Sequence, residues 1–531
     1  MKRRELLVGI GAGWLLDQSQ TAERPIAGHI VGANHRVGHL LRGNIKKSPG
    51  KAEQADVVVV GSGISGLSAA WRLTQAGVAC HMLELETFAG GTSTWGEVGA
   101  VAHPWGAHYL PVPEREARVP LRLLDALGVV RGFDAAGRPR FDGTLLCHAP
   151  EERLHYHGAW HRGLVPFSAL TSEQKSEFDR FRGWQEKLKF AKGNDGRHAF
   201  VLPTMLSSRD PAYLALDKIS MATWLDREGF HDPFIRWYVE YATRDDYGAS
   251  LTQTSAWAAW HYFCARRLTS DQLKGSRFLV WPEGNGWLVK QLLARVPLTR
   301  RHGALVTQVS SNPKGGVRVD YFDVSTRLMK RIEARGAVLA VPGFVMRRLV
   351  GDVKPPDSSR REGSAWLVAN LHVTRPREAH VVWDSILHDS PSLGYIDASH
   401  QLSPPRDRTV LTYYRPYVGD DPRAERQALL ASRWNTLTSD IFLDLTRVHP
   451  KLVQQTERVD IMRWGHAMPR PTPGFLGSSP WQESPMLDER IAWAHVDQSG
   501  IALFEEASTR GVAAAEALAR ALGTATGESW L

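Results

Sequence analysis

The chain has 531 residues, 43% of them hydrophobic and 23% charged, enough for more than one structural unit around large apolar cores. Its net charge of +9 is spread thinly, with no long Lys/Arg block beyond the first residues, which argues against nucleic acid as a partner. Cys80, Cys147 and Cys264 are the only cysteines and lie outside any Cys-x-x-Cys spacing, so neither a disulfide framework nor a bound metal is expected.

The first residues, Met1-Lys2-Arg3-Arg4-Glu5-Leu6-Leu7, pair a basic start with an apolar stretch from Leu6 to Leu16. That stretch is shorter than the ~20 residues of a membrane span. It has the length of a signal-peptide core. Paired arginines before Leu6-Leu7 resemble a twin-arginine export signal over residues 1–25, implying a periplasmic or exported protein. If the segment is not cleaved it becomes a membrane anchor; a buried amphipathic first helix is the alternative. Residues 26–54 form a polar, Gly- and Lys-rich leader in which Gly28–Asn34 is a candidate to pack on the following domain, without assigned chemistry.

Asp56-Val57-Val58-Val59-Val60 is a β-branched run, the pattern of a strand buried on both faces of a parallel sheet. A glycine turn follows, then a helix from Leu67 to Ala76 with Gly77 at its end, and a second strand from Val78 to Glu84. Helical patterns rich in aromatics fill 112–275. Strands are expected at Leu305–Val309, Val317–Phe322 and Ala337–Val341, a mixed region runs to 485, and the strand Arg490–Ala494 precedes an Ala/Glu helix from Phe504 to Leu522. The fold class is therefore α/β. A Rossmann-type cofactor domain is assembled from 55–111, 276–345 and 486–531, and a mixed α+β substrate domain from 112–275 and 346–485. The 19 tryptophans belong either to a large aromatic core or to a pocket for a flat or cationic ligand.

The turn Gly61-Ser62-Gly63-Ile64-Ser65-Gly66 has the parts of a dinucleotide site. Gly61 permits the tight turn, Gly63 admits the pyrophosphate, and Gly66 lets helix and strand pack closely. The helix N-terminus offers free N–H groups to phosphate, and Glu84 ends the second strand where an acid accepts from ribose hydroxyls. Beyond Glu84 comes Gly90-Gly91-Thr92. Here the chain resembles the flavin amine oxidase superfamily, which includes phytoene desaturases and protoporphyrinogen oxidases.

The resemblance implies FAD, with Gly90 and Gly91 along its pyrophosphate; the family usually continues with Arg, where this chain has Thr92. It recurs in Arg490–Gly500 and Phe504–Gly511, where the family's closing helix points at the flavin and an acidic residue holds the ribityl chain or phosphate. Asp497 is the candidate. Pro282–Leu288 resembles the family's Gly-rich turn, and Val306 its strand residue that meets adenine through the backbone. Pro104–Tyr109 lies where the family chain passes the isoalloxazine, so His108 and Tyr109 are candidates to act on a substrate proton or stack on the flavin, with packed core residues as the alternative. Trp464 and His466, in Arg463–Met468, are candidates to wall and face the pocket. Arg244-Asp245-Asp246-Tyr247-Gly248 reads as a surface salt-bridge turn, with recognition of a cationic amine as the alternative.

The family's lysine near flavin N5 has no counterpart in Gly363–Leu371, and no cysteine follows Cys264, so the FAD is expected to be non-covalent. The resulting expectation is an FAD-dependent oxidoreductase moving a hydride from a substrate carbon to flavin N5, with an amine or polyamine as first substrate. A desaturase of a hydrophobic molecule and a non-catalytic FAD-binding redox or partner protein are the alternatives. Oxygen, a quinone or a protein remains open as electron acceptor.

Overall fold

The four valines that end the strand Glu53–Val60 are almost completely buried, as their β-branched run predicts. A computed structural model describes residues 25–43, 45, 49–99, 101–268, 276–351, 354–374, 381–402, 407–477 and 484–531. The export-signal segment expected over residues 1–25 lies outside the described residues apart from Pro25.

Glu53–Val60 lies in a seven-stranded sheet, running parallel to Cys80–Leu83 on one side and Leu328–Leu339 on the other. Leu298–Arg301 extends the sheet beyond Cys80–Leu83, and Ile491–Trp493 pairs in parallel with Leu328–Leu339. The first part of that long strand also closes an antiparallel meander with Val317–Asp323 and Ala304–Ser311. One sheet is thus built from three separated stretches of chain. The helix Ile64–Gln75 starts three residues earlier than the apolar pattern predicts, because extended Gly63 caps it and its carbonyl accepts from Leu67 N. The closing helix Phe504–Ala521 crosses this helix at Gly511, where a Cβ would stand 2.2 Å from the Ser65 carbonyl oxygen. Only glycine permits that approach.

A second sheet of eight strands has the order Ile30–Gly32, Thr456–Pro469, Gly363–Thr374, Arg408–Tyr417, Gly394–Asp397, Asp384–Leu387, Glu152–Tyr156 and Ala159–Arg162. Residues 364, 366, 368 and 370 of Gly363–Thr374 alternate with 365, 367, 369 and 371. Trp366 and Val368 join an aromatic cluster, and Ala365, Leu367, Ala369 and Leu371 join the core on the other face. The aromatic cluster absorbs many tryptophans, with Trp257 and Trp260 fully buried between the helices Ser172–Lys189, Pro233–Tyr247 and Ala256–Cys264. Most of the tryptophan excess is therefore core.

The leader departs from expectation. Ile30–Gly32 is the edge strand of the second sheet, parallel to Thr456–Pro469, and the chain then crosses to Glu86 beside the first sheet. Among the described residues no helix is long and apolar enough to cross a membrane.

Candidate functional site

The glycine turn sits at the carboxyl ends of the parallel strands. Gly61 has φ +97°, and a Cβ there would come within 2.4 Å of the Ala340 carbonyl oxygen; one on Gly66 would meet the Gly61 carbonyl at 2.0 Å. Above Gly63, by contrast, nothing lies within 4 Å of a built Cβ. The helix beginning at Ile64 has no side-chain cap, so the N–H groups of Ile64, Ser65 and Gly66 face this open space. Gly90 (φ +114°) donates to the Ser62 carbonyl and bridges Gly63, and Gly91 (φ +56°) lies against Gly63, while exposed Thr92 accepts from Ala107 N through its carbonyl. Open room beside uncapped donors fits a dinucleotide pyrophosphate.

Glu84 Oε2 accepts from Ser62 N and Oγ (2.8 and 2.5 Å) and Oε1 from Glu86 N (2.9 Å), which leaves Oε1 a lone pair for a ribose hydroxyl. Val306 is buried opposite Tyr321, and a register shift follows it before Gln308.

A second group of residues, the chamber residues, comprises Tyr109, Tyr238, Asp245, Asp246, Tyr262 and Arg266, which lie close enough to influence one another's charges and each keep some accessible surface. The Tyr109 hydroxyl donates to Asp245 Oδ2 at 3.2 Å. Its ring meets Phe278 and Trp383 edge-on, with centroids 5.4 and 5.5 Å away. His108 lies 5.0 Å from the Tyr414 ring and 5.9 Å from Trp383. Tyr414 in turn donates to both oxygens of buried Asp384 at 2.9 and 3.0 Å.

Burial pushes the Asp245 and Asp246 carboxyls above the ordinary carboxylate range, and the charge of Asp245 raises Asp246 further. Burial raises Asp384 in the same way. His108, hydrogen-bonded at Nδ1 to the Gly106 carbonyl, is lowered to about 4 by burial and is a neutral imidazole near pH 7. Arg266 pairs with Glu505 at 3.1 Å, linking the chamber to the first turn of the closing helix.

The surface-turn reading of Arg244–Gly248 is corrected here. These residues end the helix Pro233–Tyr247, Arg244 donates to the Pro391 and Ser392 carbonyls, and Tyr247 is fully buried. The signal was present in the sequence. Asp232-Pro233 starts a helix and Gly248 stops it, which places Tyr238, Tyr241 and Asp245 on one face. Two acids in a last turn oppose the helix dipole, so another interaction must hold them there.

The four expected catalytic residues are not all brought together. Trp464 abuts the His108 loop, its Nε1 donating to the Trp105 carbonyl at 2.6 Å, and it stands opposite Trp366 across the sheet. His466 lies in another environment, stacked on Phe344 at 4.1 Å and 3.3 Å from Arg426 Nη1. Burial, with help from Arg426, lowers it to about 3. Nearby Asp497 accepts from Gly343 N at 2.7 Å and pairs with His495 at 3.2 Å. Burial alone would raise its carboxyl, but His495 and the Gly343 N–H hold it below the usual range.

Comparison with known proteins agrees with this architecture. A family model described as an NAD(P)-binding Rossmann-like domain matches residues 59–127. No curated protein matches the chain. Among solved structures, wild-type putrescine oxidase bound to putrescine is 17% identical with a TM-score of 0.61, covering 87% of this chain and 98% of its own. Cyclohexylamine oxidase from Brevibacterium oxydans IH-35A is 15% identical with a TM-score of 0.61, covering 89% and 99%. A putative protoporphyrinogen oxidase from Exiguobacterium sp. 255-15 is 16% identical with a TM-score of 0.57, covering 87% and 98%. The chain shares the fold of these oxidases, the fold that its resemblance to the flavin amine oxidase superfamily implies.

Proposed function

We infer that this chain is an FAD-dependent oxidoreductase acting on an organic amine held as a cation by the chamber residues. One observation carries the substrate reading: the carboxyls of Asp245 and Asp246 lie together with the hydroxyl of Tyr109 beside a group of aromatic rings. Aromatic faces and carboxylates together attract an ammonium group, and a chamber for a hydrocarbon has no use for buried acids. The two amine oxidases of the same fold support the choice.

The residues that would hold the cofactor are Gly61, Gly63, Ile64, Ser65, Gly66, Gly90 and Gly91 at the pyrophosphate, with Glu84 at the ribose and Val306 near the adenine. Bound FAD would supply the two-electron acceptor, with a hydride passing from the substrate carbon to N5. An amine must shed its ammonium proton before its carbon gives up a hydride. The Asp245–Asp246 pair, with its raised affinity for protons, is a local acceptor for that proton. Neutral His108 orders the adjoining wall through its bond to Gly106 without adding a positive charge that would repel the substrate.

The flavin is held without a covalent bond. Cys80, Cys147 and Cys264 are all buried, and burial pushes their thiols up, Cys80 to about 12, so no reactive thiolate is offered. Residues 1–25 are read as the signal that exports the loaded protein, which cell fractionation of an Arg3→Lys/Arg4→Lys variant tests.

Anaerobic titration of the purified flavoprotein tests the activity. Alkyl amines and diamines are expected to bleach the visible flavin band, while neutral alcohols of the same length leave it oxidised. Bleaching by neutral apolar molecules alone would overturn the amine reading.

A further inference from the structure

Residues 34–42 lie across the edge of the glycine cradle. The backbone N–H of Asn34 donates to Glu86 Oε1 at 2.6 Å. A Cβ on Gly32 would meet Met462 Sδ at 2.8 Å and Phe88 Cζ at 3.7 Å, and one on Gly38 would rest against Leu85 Cδ2 at 3.5 Å. Leu41 packs into the cluster that holds Val60, Leu83 and Val341, the residues flanking the Gly61 turn. The segment therefore passes from the end of the second parallel strand to the turn itself, at the carboxyl edge of the sheet where the dinucleotide crevice opens.

The polar side of this strap carries two arginines, Arg36 and Arg42, both exposed, beside His35 and His39, whose imidazoles burial holds below the usual range. Several of the charges around it are also positive. Burial lowers the guanidiniums of Arg463 and Arg426 and the His466 imidazole, with smaller contributions from Arg36 at Arg463, Arg42 at Arg426, and His39 and Arg42 at His466. Glu362 and Asp497 offset part of this field. Like charges crowded on one surface raise the affinity for an anion.

The cradle has the opposite need. Gly61–Gly66 and Gly90–Thr94 contain no basic side chain, and Glu84 and Glu86 put two carboxylates beside them. Burial, with a smaller contribution from the charge of Glu84, raises Glu86. A dinucleotide pyrophosphate adds two more negative charges, which the helix N–H groups meet only with partial positive charge.

We propose that residues 34–42 are an anion-binding strap in which Arg36 and Arg42 supply the positive charge that holds the cofactor's pyrophosphate. This rests on the FAD reading above. Arg300, which lines a small pocket with Ser62 and Glu84 on the adenosine side, is the competing source of charge. Arg301 beside it already pairs with Glu53.

The test titrates the full-length, flavin-stripped protein with FAD and with riboflavin, which lacks the phosphates, following flavin fluorescence at low and high salt. Arg36→Gln/Arg42→Gln is expected to weaken FAD binding roughly tenfold or more at low salt, with a smaller effect at high salt and none on riboflavin. Arg36→Lys/Arg42→Lys is expected to recover most of the loss, and far-ultraviolet circular dichroism checks that each variant is folded. Equal losses for FAD and riboflavin, unchanged FAD affinity, or a phosphate-specific loss in Arg300→Gln in place of the strap variant would overturn the proposal. A wild-type protein that binds neither flavin would overturn the FAD reading and the strap with it. Tight FAD binding that ignores the strap overturns the strap alone.

Discussion

Gly66 and Asp246 show two ways in which one residue shapes the site. At Gly66 the constraint is steric, because a side chain would collide with the Gly61 backbone at 2.0 Å. Gly66→Ala is expected to pry the helix from the turn, lowering the thermal midpoint and leaving the purified protein with little flavin, both read on one preparation. At Asp246 the constraint is electrostatic. A carboxyl that binds its proton more tightly in the folded protein than in the unfolded chain stabilises the fold while protonated. That contribution is lost as pH rises through its folded value, and burial raises Asp245 and Asp246 in this sense. The protein should therefore lose stability as pH rises above the ordinary carboxylate range, and Asp246→Asn should flatten that loss. Melting curves from about pH 5 to about pH 8 check it, and parallel slopes for the two proteins would refute it. Amine binding should run the other way, tightening as the pair ionises.

Elements convert such residues into a positioned site. Gly363–Thr374 carries no lysine, and its fully buried Asn370 ties the strand to the loop that carries His108 and Tyr109. Asn370 donates to the Pro104 carbonyl at 2.9 Å and accepts from Thr412 Oγ1 at 2.6 Å. Asn370→Leu strands both partners and is expected to cost about 1–3 kcal/mol in denaturant unfolding. It should also release the loop that carries His108 and Tyr109, raising the KM for an amine more than Thr412→Val does. Equal kinetic effects of the two substitutions would mean that the Pro104 bond does not position the loop. The helix Pro233–Tyr247 was partly legible, since Asp232-Pro233 and Gly248 mark its ends. Its face toward the chamber was not, because the residues that enclose Asp245 and Asp246 come from other stretches of chain.

At the scale of the whole molecule, the leader and the closing helix join the two sheets. The leader adds a strand to the second sheet and then touches Glu86 beside the first, while Arg266 and Glu505 connect the chamber to the closing helix. A ligand seated between them stabilises the folded state alone. FAD at about 100 times its dissociation constant should add about 2.7 kcal/mol and raise the melting temperature, with no rise from NAD at the same concentration. A rise with NAD alone would redirect the cofactor assignment.

What the amino-acid order determined is local. The valine run, the glycine turn, Glu84 and Gly90-Gly91 fall within about 35 consecutive residues, and their conformations follow from φ/ψ limits, helix-terminus donors and strand periodicity that need no distant partner. The three-stretch sheet and the closing helix were legible for the same reason, each carrying its own pattern. The chamber and the strap were decided only by tertiary structure. Tyr109 meets Asp245 across 136 residues, Asn370 meets Pro104 across 266, and Asn34 meets Glu86 across 52. A surface turn and the end of a buried helix can share the string Arg-Asp-Asp-Tyr-Gly. Which of the two it becomes depends on the aromatic walls packed around it, and those are brought there by the pairing of strands far apart in sequence.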